Sequence, residues 1–249
     1  MCYGCRRCGH QLYPLAGTVF ERSRTPLSKW FHAAYLITAS RNGVSAKELE
    51  RQLGVTYKTA WRIGHKLRTL MTAGTEPVQL SNTVQADETY CGGRRKGKRG
   101  RANDTKTPVF GIAEPKGGRV MATVVPDTRR ATLFPIIEQH VPKPALVMTD
   151  EYAVYDKLSQ RGYFHGRVQH KRWSYVDQHG NTTNAIEGFW SILKRSIRGT
   201  HVWVSAAYLQ RYVDEYVFRY NNRRSAEPLF ELIFCGLPSF SAVATAPPS

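Results

Sequence analysis

Three acids have the residue types and surroundings that phosphate chemistry needs: Asp87 in ADETY, Asp150 in MTDEY and Glu187 in NAIEGFW. Asp87 sits inside an otherwise apolar, strand-like run, and Asp150 ends another. Burying an unpaired carboxylate costs on the order of several kcal/mol, and a bound divalent cation removes that cost. Two cations about 3.5–4 Å apart, held by carboxylates, are a general device for in-line attack on phosphate. Oxygen-only, partly hydrated sites of this kind suit Mg²⁺ or Mn²⁺. Two rival acids are set aside: strand alternation sends Glu88 to the face opposite Asp87, and Glu151 lies just past the strand end.

The third acid belongs to a helical pattern. Ile186, Trp190, Leu193 and Ile197 recur at i, i+4, i+7 and i+11 and form a core stripe. Glu187, Ser191, Lys194 and Arg198 repeat that rhythm one residue later, about 100° around the helix. Glu187 therefore borders the buried face, where it can reach a cation on the sheet. Lys194, two turns on, can hold a phosphate, and Asn184, one turn before Glu187, can orient the metal or its substrate.

Positioning these groups requires a sheet with helices against it. The periodicity predicts strands at TVQADETYCGG, TPVFGIAE and GRVMATVVP, a helix over RRATLFPIIEQHV, strands at PALVMTDEY and GYFHGRVQH, and helices over NTTNAIEGFWSILKRSIRG and SAAYLQRYVDEYVFRYNNRR. If the first and fourth strands are neighbours, Asp87 and Asp150 meet at one sheet end. On the last helix Leu209, Tyr212, Val213, Tyr216 and Tyr220 form the core face. The expected fold class is α/β, a mixed sheet with flanking helices over residues 80–235.

Residues 21–75 read as a helical region. PLSKWFHAAYLITA carries Trp30, Ala33, Ala34 and Ile37 on one face. A second helix starts at Ser45 with Glu48 completing a capping box. After Gly54-Val55-Thr56 a third helix runs to about Met71, which makes a helix-turn-helix pattern. That third helix is expected to expose Tyr57, Lys58, Arg62, His65, Lys66 and Arg68, with Lys58, Arg62 and Lys66 as candidate DNA contacts. Residues 72–82 read as a linker.

The first 20 residues hold Cys2, Cys5 and Cys8, with His10 nearby. Cys5-x-x-Cys8 has the spacing of one zinc knuckle, whereas a structural zinc needs four ligands. Cys5 and Cys8 are thus candidate Zn²⁺ ligands in half of a ribbon whose first half is missing. Residues 236–249 read as a flexible tail.

Charge points to the partner. Lys and Arg number 36 against 19 Asp and Glu, a net charge of +17, which directs the chain to a polyanion, above all nucleic acid. The run RRKGKRGR places Arg94, Arg95, Lys96, Lys98, Arg99 and Arg101 just after the first strand, as an arm that grips phosphates. Lys194 and Arg198 extend the basic surface. Trp173 is weighed as a base-stacking residue but reads more readily as packing, as His170 and His179 do. No apolar run reaches the roughly 18 residues that cross a bilayer, and no leader opens the chain, so a cytoplasmic, nucleoid-associated protein is expected.

In order, ADETY, MTDEY, NAIEGFWSILKR and YNNRR resemble the DDE-type insertion-sequence transposases of bacteria. The chain is similar more narrowly to the ISXO-like group, which carries an N-terminal zinc ribbon. The segments LAGTVFERSRTPLSKWFHAAYL and GVSAKELERQLGVTYKTAW extend the likeness from about Cys5 to Arg224. The resemblance implies an RNase H-like domain with Asp87, Asp150 and Glu187 as the metal-binding catalytic acids, Lys194 as the basic residue after them, and Asn184 in support. It implies metal-dependent cleavage at the terminal inverted repeats of a mobile element and transfer of the freed strand into target DNA. Two ends must be brought together, so a homodimer or larger assembly is expected. The alternatives are an RNase H-like nuclease that does not join, and a shortened, catalytically silent DNA-binding regulator.

Overall fold

The computed structural model describes residues 3–9, 11–72, 78–92, 106–168, 182–235 and 237 of the 249, with only the backbone at Leu12. The basic run at 94–101, Trp173, His170, His179, Cys2, His10 and nearly all of the tail lie outside the described residues.

A small hairpin, β1 (Tyr3–Gly4) with β2 (Gln11–Leu12), opens the chain. Three helices follow: α1 (Leu27–Ala39), α2 (Ala46–Leu53) and α3 (Tyr57–Leu70). Ser45 caps α2 by accepting from the Glu48 amide at 3.1 Å. The expected reciprocal half of the capping box is replaced, because the Glu48 carboxylate is taken by Arg51 and Gln52. Gly54 ends α2 in the left-handed region (φ 57°), where glycine alone carries no Cβ penalty. Thr56 then caps α3, accepting from the Thr59 amide.

The sheet has the order β5-β4-β3-β6-β7, formed by β3 (Thr83–Cys91), β4 (Thr107–Ala113), β5 (Val120–Val124), β6 (Leu146–Thr149) and β7 (Phe164–Arg167). β3, β4 and β5 are antiparallel, whereas β6 pairs parallel to β3 and β7 parallel to β6. The expected mixed sheet with flanking helices is therefore present. Helix α4 (Arg130–His140) covers one face, and α5 (Asn184–Ser196) and α6 (Ala206–Asn221) cover the other. Alternation along β3 divides its side chains between two cores. Val84 and Ala86 join the α4 side, while Cys91 joins the α5–α6 side with Ile186, Phe189, Trp190 and Leu193.

The N-terminal helices are docked onto the sheet region rather than strung from it. Their core (Trp30, Ala33, Ala34, Ile37, Leu49, Ile63, Leu67) also takes in Phe218 of α6 and Ile233 of a short last helix, α7 (Leu229–Phe234). Beneath this junction Glu215, 0% exposed, accepts from Arg68 at 2.7 Å and from Arg219 at 2.8 and 2.9 Å. Arg219 also donates to the Ser40 and Ile37 carbonyls, and the Tyr216 hydroxyl donates to the Asn42 carbonyl at 2.7 Å. Arg68 and His65, expected on the exposed face of α3, are buried here. The charged end of Arg68 is drawn inward by a carboxylate that the α3 sequence alone does not reveal. Among the described residues no helix is long and apolar enough to cross a membrane.

Candidate active site

Register brings the two aspartates level. β3 and β6 pair as Thr83–Leu146, Val84–Val147 and Gln85–Met148. Asp150 follows directly on β6, so it stands two steps along from Met148, as Asp87 does from Gln85. Both lie where the parallel strands point toward their C-terminal ends. Glu88 turns to the other face and accepts from the buried Tyr155 hydroxyl, whose pKa is raised well above the usual range by burial and by that carboxylate.

The helix that carries Glu187 is tied to the sheet by a side chain two residues before Asp87. Gln85, fully buried, accepts from the first free amides of α5: Ala185 at 2.8 Å and Ile186 at 3.2 Å. An exposed-looking amide in the middle of a strand is thus the cap of a helix a hundred residues away. One turn later the Trp190 indole N–H donates to Asp87 Oδ2 at 3.1 Å. That approach needs Gly111, which faces Asp87 across the β3–β4 pair; a Cβ there would lie 2.6 Å from the indole. Trp190 belongs to the core stripe through its buried ring, and its N–H serves the acid.

Each acid has its own local donor. The Tyr152 amide donates to Asp150 Oδ1 at 2.9 Å, and the Thr183 hydroxyl donates to Glu187 Oε1 at 2.6 Å. The three nonetheless share a field. Burial, then the charge of Asp150 and, more weakly, that of Glu187 push Asp87 up to about 6, against which its hydrogen bonds act. Among the described residues no group of three or more His, Cys, Asp or Glu is gathered tightly enough to hold a metal ion. The carboxylates are therefore neighbours without a common centre in this arrangement. Their chemistry still suits a hard divalent cation: all donors are carboxylate oxygens, and the destabilised charge on Asp87 is what such a cation would relieve.

The supporting residues spread along α5. Lys194 and Arg198 lie near Cys91, whose pKa burial raises while their charges lower it; together they line a hollow with Tyr90 and Gly92 at the far end of β3. Asn184, the first residue of α5, is exposed and lines a different groove with Thr83, Gln85 and Met148, in which none of the three acids takes part. On α3, Lys58 and Arg62 are exposed, whereas Lys66 is partly buried and donates to the Val19 carbonyl at 2.8 Å. Cys5 and Cys8 are exposed in the turn of the first hairpin, with no third ligand among the described residues.

Comparison with known proteins identifies the family. Residues 79–221, more than half of the chain, match the model of the ISXO2-like transposase domain. The chain belongs to that family. It is similar to an uncharacterized protein in transposable element ISH50 of Halobacterium salinarum, 28% identical over 198 residues, covering 72% of this chain and 66% of that one. The matched segment thus spans just under two thirds of the halobacterial relative. An uncharacterized transposase-like protein of Haemophilus influenzae is 31% identical over 104 residues, covering 42% of this chain and 82% of that one. Among solved structures, the catalytic core of BIV integrase has a TM-score of 0.38 at 12% identity, over 59% of this chain and 88% of that one. A pre-cleavage Mos1 transpososome has a TM-score of 0.28 at 12% identity, over 87% and 80%. These are low similarities, and the mixed sheet is read from the chain's own strand order.

Proposed function

We propose that this transposase-family chain cuts DNA at the ends of a mobile element and joins the freed 3′ strand to target DNA. The observation that carries the reading is the placement of Asp87 and Asp150 level on adjacent parallel strands, with Glu187 on the helix that Gln85 anchors beside them. Mg²⁺ or Mn²⁺ held by these three acids would supply charge neutralisation at the phosphate and activation of the attacking oxygen. The chain's own residues do the rest. Trp190 fixes the Asp87 carboxylate, and Thr183 and the Tyr152 amide hold Glu187 and Asp150 until they are drawn to substrate. Lys194 and Arg198 take phosphates leading away from the acids, and Lys58 and Arg62 contact the duplex from α3. The net charge of +17 supports DNA as the polyanion. Two ends in one reaction call for two copies of the chain or more.

The test is an in vitro reaction with the purified chain, a fragment bearing the inverted repeats that flank its gene, Mg²⁺ or Mn²⁺, and a plasmid target. Joined products that disappear in Asp87→Ala, Asp150→Ala and Glu187→Ala are the expected result. Cleavage without joining would make the protein a plain nuclease. Binding without chemistry would make it a regulator.

A further inference from the structure

The segment between α5 and α6 is built unlike the other connections among the described residues. Helix α5 passes into a turn of π-helix, Ile197–His201, a form found mostly at functional positions. Val202 follows with φ 63° and ψ −54° while the Trp203 amide donates to the His201 carbonyl at 2.7 Å. This is the rare, strained form of the γ-turn, and a β-branched residue with positive φ is an outlier. Its product is two large apolar side chains held out into solvent, Val202 at 79% and Trp203 at 64% exposure. Burial of apolar surface does not account for them, so the strain is retained for something outside the fold.

Trp203 stands at the mouth of a cleft of about 380 Å³ between the start of α3 and the start of α6. Tyr57, Trp61, His65 and Tyr208 line it with aromatic rings. Inside, Trp61 and Tyr208 meet edge to face at 4.9 Å, and His65 packs on Trp61 at 4.0 Å. The lining is therefore rich in aromatic rings, and the same two helices carry cations: Lys58 and Arg62 are exposed on α3, and Arg211 of α6 lies over Tyr208 at 5.7 Å. Val202 and Trp203 also line the neighbouring hollow that holds Lys194 and Arg198. A continuous track thus runs from the end of β3, past two cations, to an exposed indole and an aromatic cleft.

Resting on the DNA-processing reading above, we infer that this cleft receives a single unpaired nucleobase of a DNA strand, stacked against Trp203, while Lys194 and Arg198 hold the phosphates on either side of its path. An exposed indole and an aromatic-lined cleft beside Lys194 and Arg198 suit a base and its backbone, since every base has a π face. A base inside a duplex has its faces covered by its neighbours in the stack, so the site selects DNA whose end is frayed or whose base has left the stack.

Two DNA probes of one sequence test this with the full-length chain. One is a blunt duplex. The other carries a single unpaired 2-aminopurine as an overhang. The expected result is tighter binding of the overhang probe by about tenfold, the order of one stacked base, with quenching of the 2-aminopurine. Trp203→Ala should bring the ratio of the two dissociation constants to near one and abolish the quenching. Trp203→Phe should restore most of both, and a thermal melt of each variant checks folding. Equal affinity for both probes in the wild type, with no quenching, overturns this inference and leaves the transposase reading standing. Failure to bind either probe overturns both. A Trp203→Ala variant that keeps the ratio but dissociates in sedimentation would assign the indole to contact between copies of the chain instead.

Discussion

At the junction under the N-terminal helices, Glu215 is fully buried between Arg68 and Arg219, and their charges hold its carboxyl below the usual range although burial acts the other way. On the sheet, Asp87 is half-buried, but the charges that act on it are those of two more acids, and with burial they push it up to about 6. One carboxylate arrives with its cations built into the chain, and the other does not. The difference separates an acid that holds the fold together from one whose charge is completed from outside. It also ranks the consequences of removing each. Replacing Asp87, Asp150 or Glu187 by its amide should eliminate joined product in the plasmid assay. Asp87→Asn should at the same time raise the melting temperature by about 2–4 °C, because it ends the burial of a charge and its repulsion by Asp150, together worth on the order of 1 kcal/mol. A melt that falls instead would mean that Asp87 contributes to the fold as Glu215 does.

The reverse experiment belongs to the junction. Glu215→Ala leaves two buried guanidinium groups without their acid and should cost about 3–5 kcal/mol in urea denaturation. The double change Arg68→Met with Glu215→Leu should recover part of that loss, since it removes one of the two uncompensated charges and leaves Arg219 on the Ser40 and Ile37 carbonyls. If single and double variants are equally unstable, the pair is not the source of the stability. Next in size is the Gly111 contact. Gly111→Ala drives a methyl into the Trp190 ring and should cost about 1–3 kcal/mol. Trp190→Phe keeps the packing but deletes the donor to Asp87, so its effect should fall on the rate of joining more than on stability.

These two regions were not equally legible in the sequence. The strands that carry or end at Asp87 and Asp150, the stripe on α5 and the caps of α2 and α3 follow from periodicity and local chemistry, which neighbouring residues carry, whereas the adjacency of β3 and β6 is a long-range pairing. Arg68 reads as an exposed base because helical spacing cannot see Glu215, which is 147 positions away. Gln85 and Trp190 look like a polar interruption and a core aromatic until their partners, 100 and 103 positions distant, are in place. His65 was lost for the same reason, being covered by Tyr208 and Tyr212 of α6. The turn at Val202 carries no glycine, asparagine or aspartate to announce a positive φ, so nothing local could disclose it. What sequence patterns miss here is the long-range partner that decides whether a polar side chain faces water or a neighbour.

His65 and His201 give the smallest effect, on the edge of the same junction. Both are lowered to about 4, chiefly by burial; Arg68, Arg211 and His201 act on His65, and Arg68, Arg219 and, in the opposite sense, Glu215 act on His201. Between about 4 and 6.5 the unfolded chain therefore takes up protons that the folded chain does not. Stability rises with pH wherever the unfolded state binds more protons, so this contribution is complete above pH 6.5 and is lost as pH falls toward 4. Asp87 works with the opposite sign over part of that range, because its folded pKa of about 6 exceeds its ordinary 3.8. The wild-type profile alone therefore mixes the two, and the informative quantity is a difference. His65→Phe keeps the contacts to Trp61 and Tyr208 and removes one titration, so unfolding free energies measured from pH 7 to 4.5 should decline less steeply than in the wild type. Parallel profiles would show that His65 meets water in the folded chain, and that the junction is more open than the buried pair beside it.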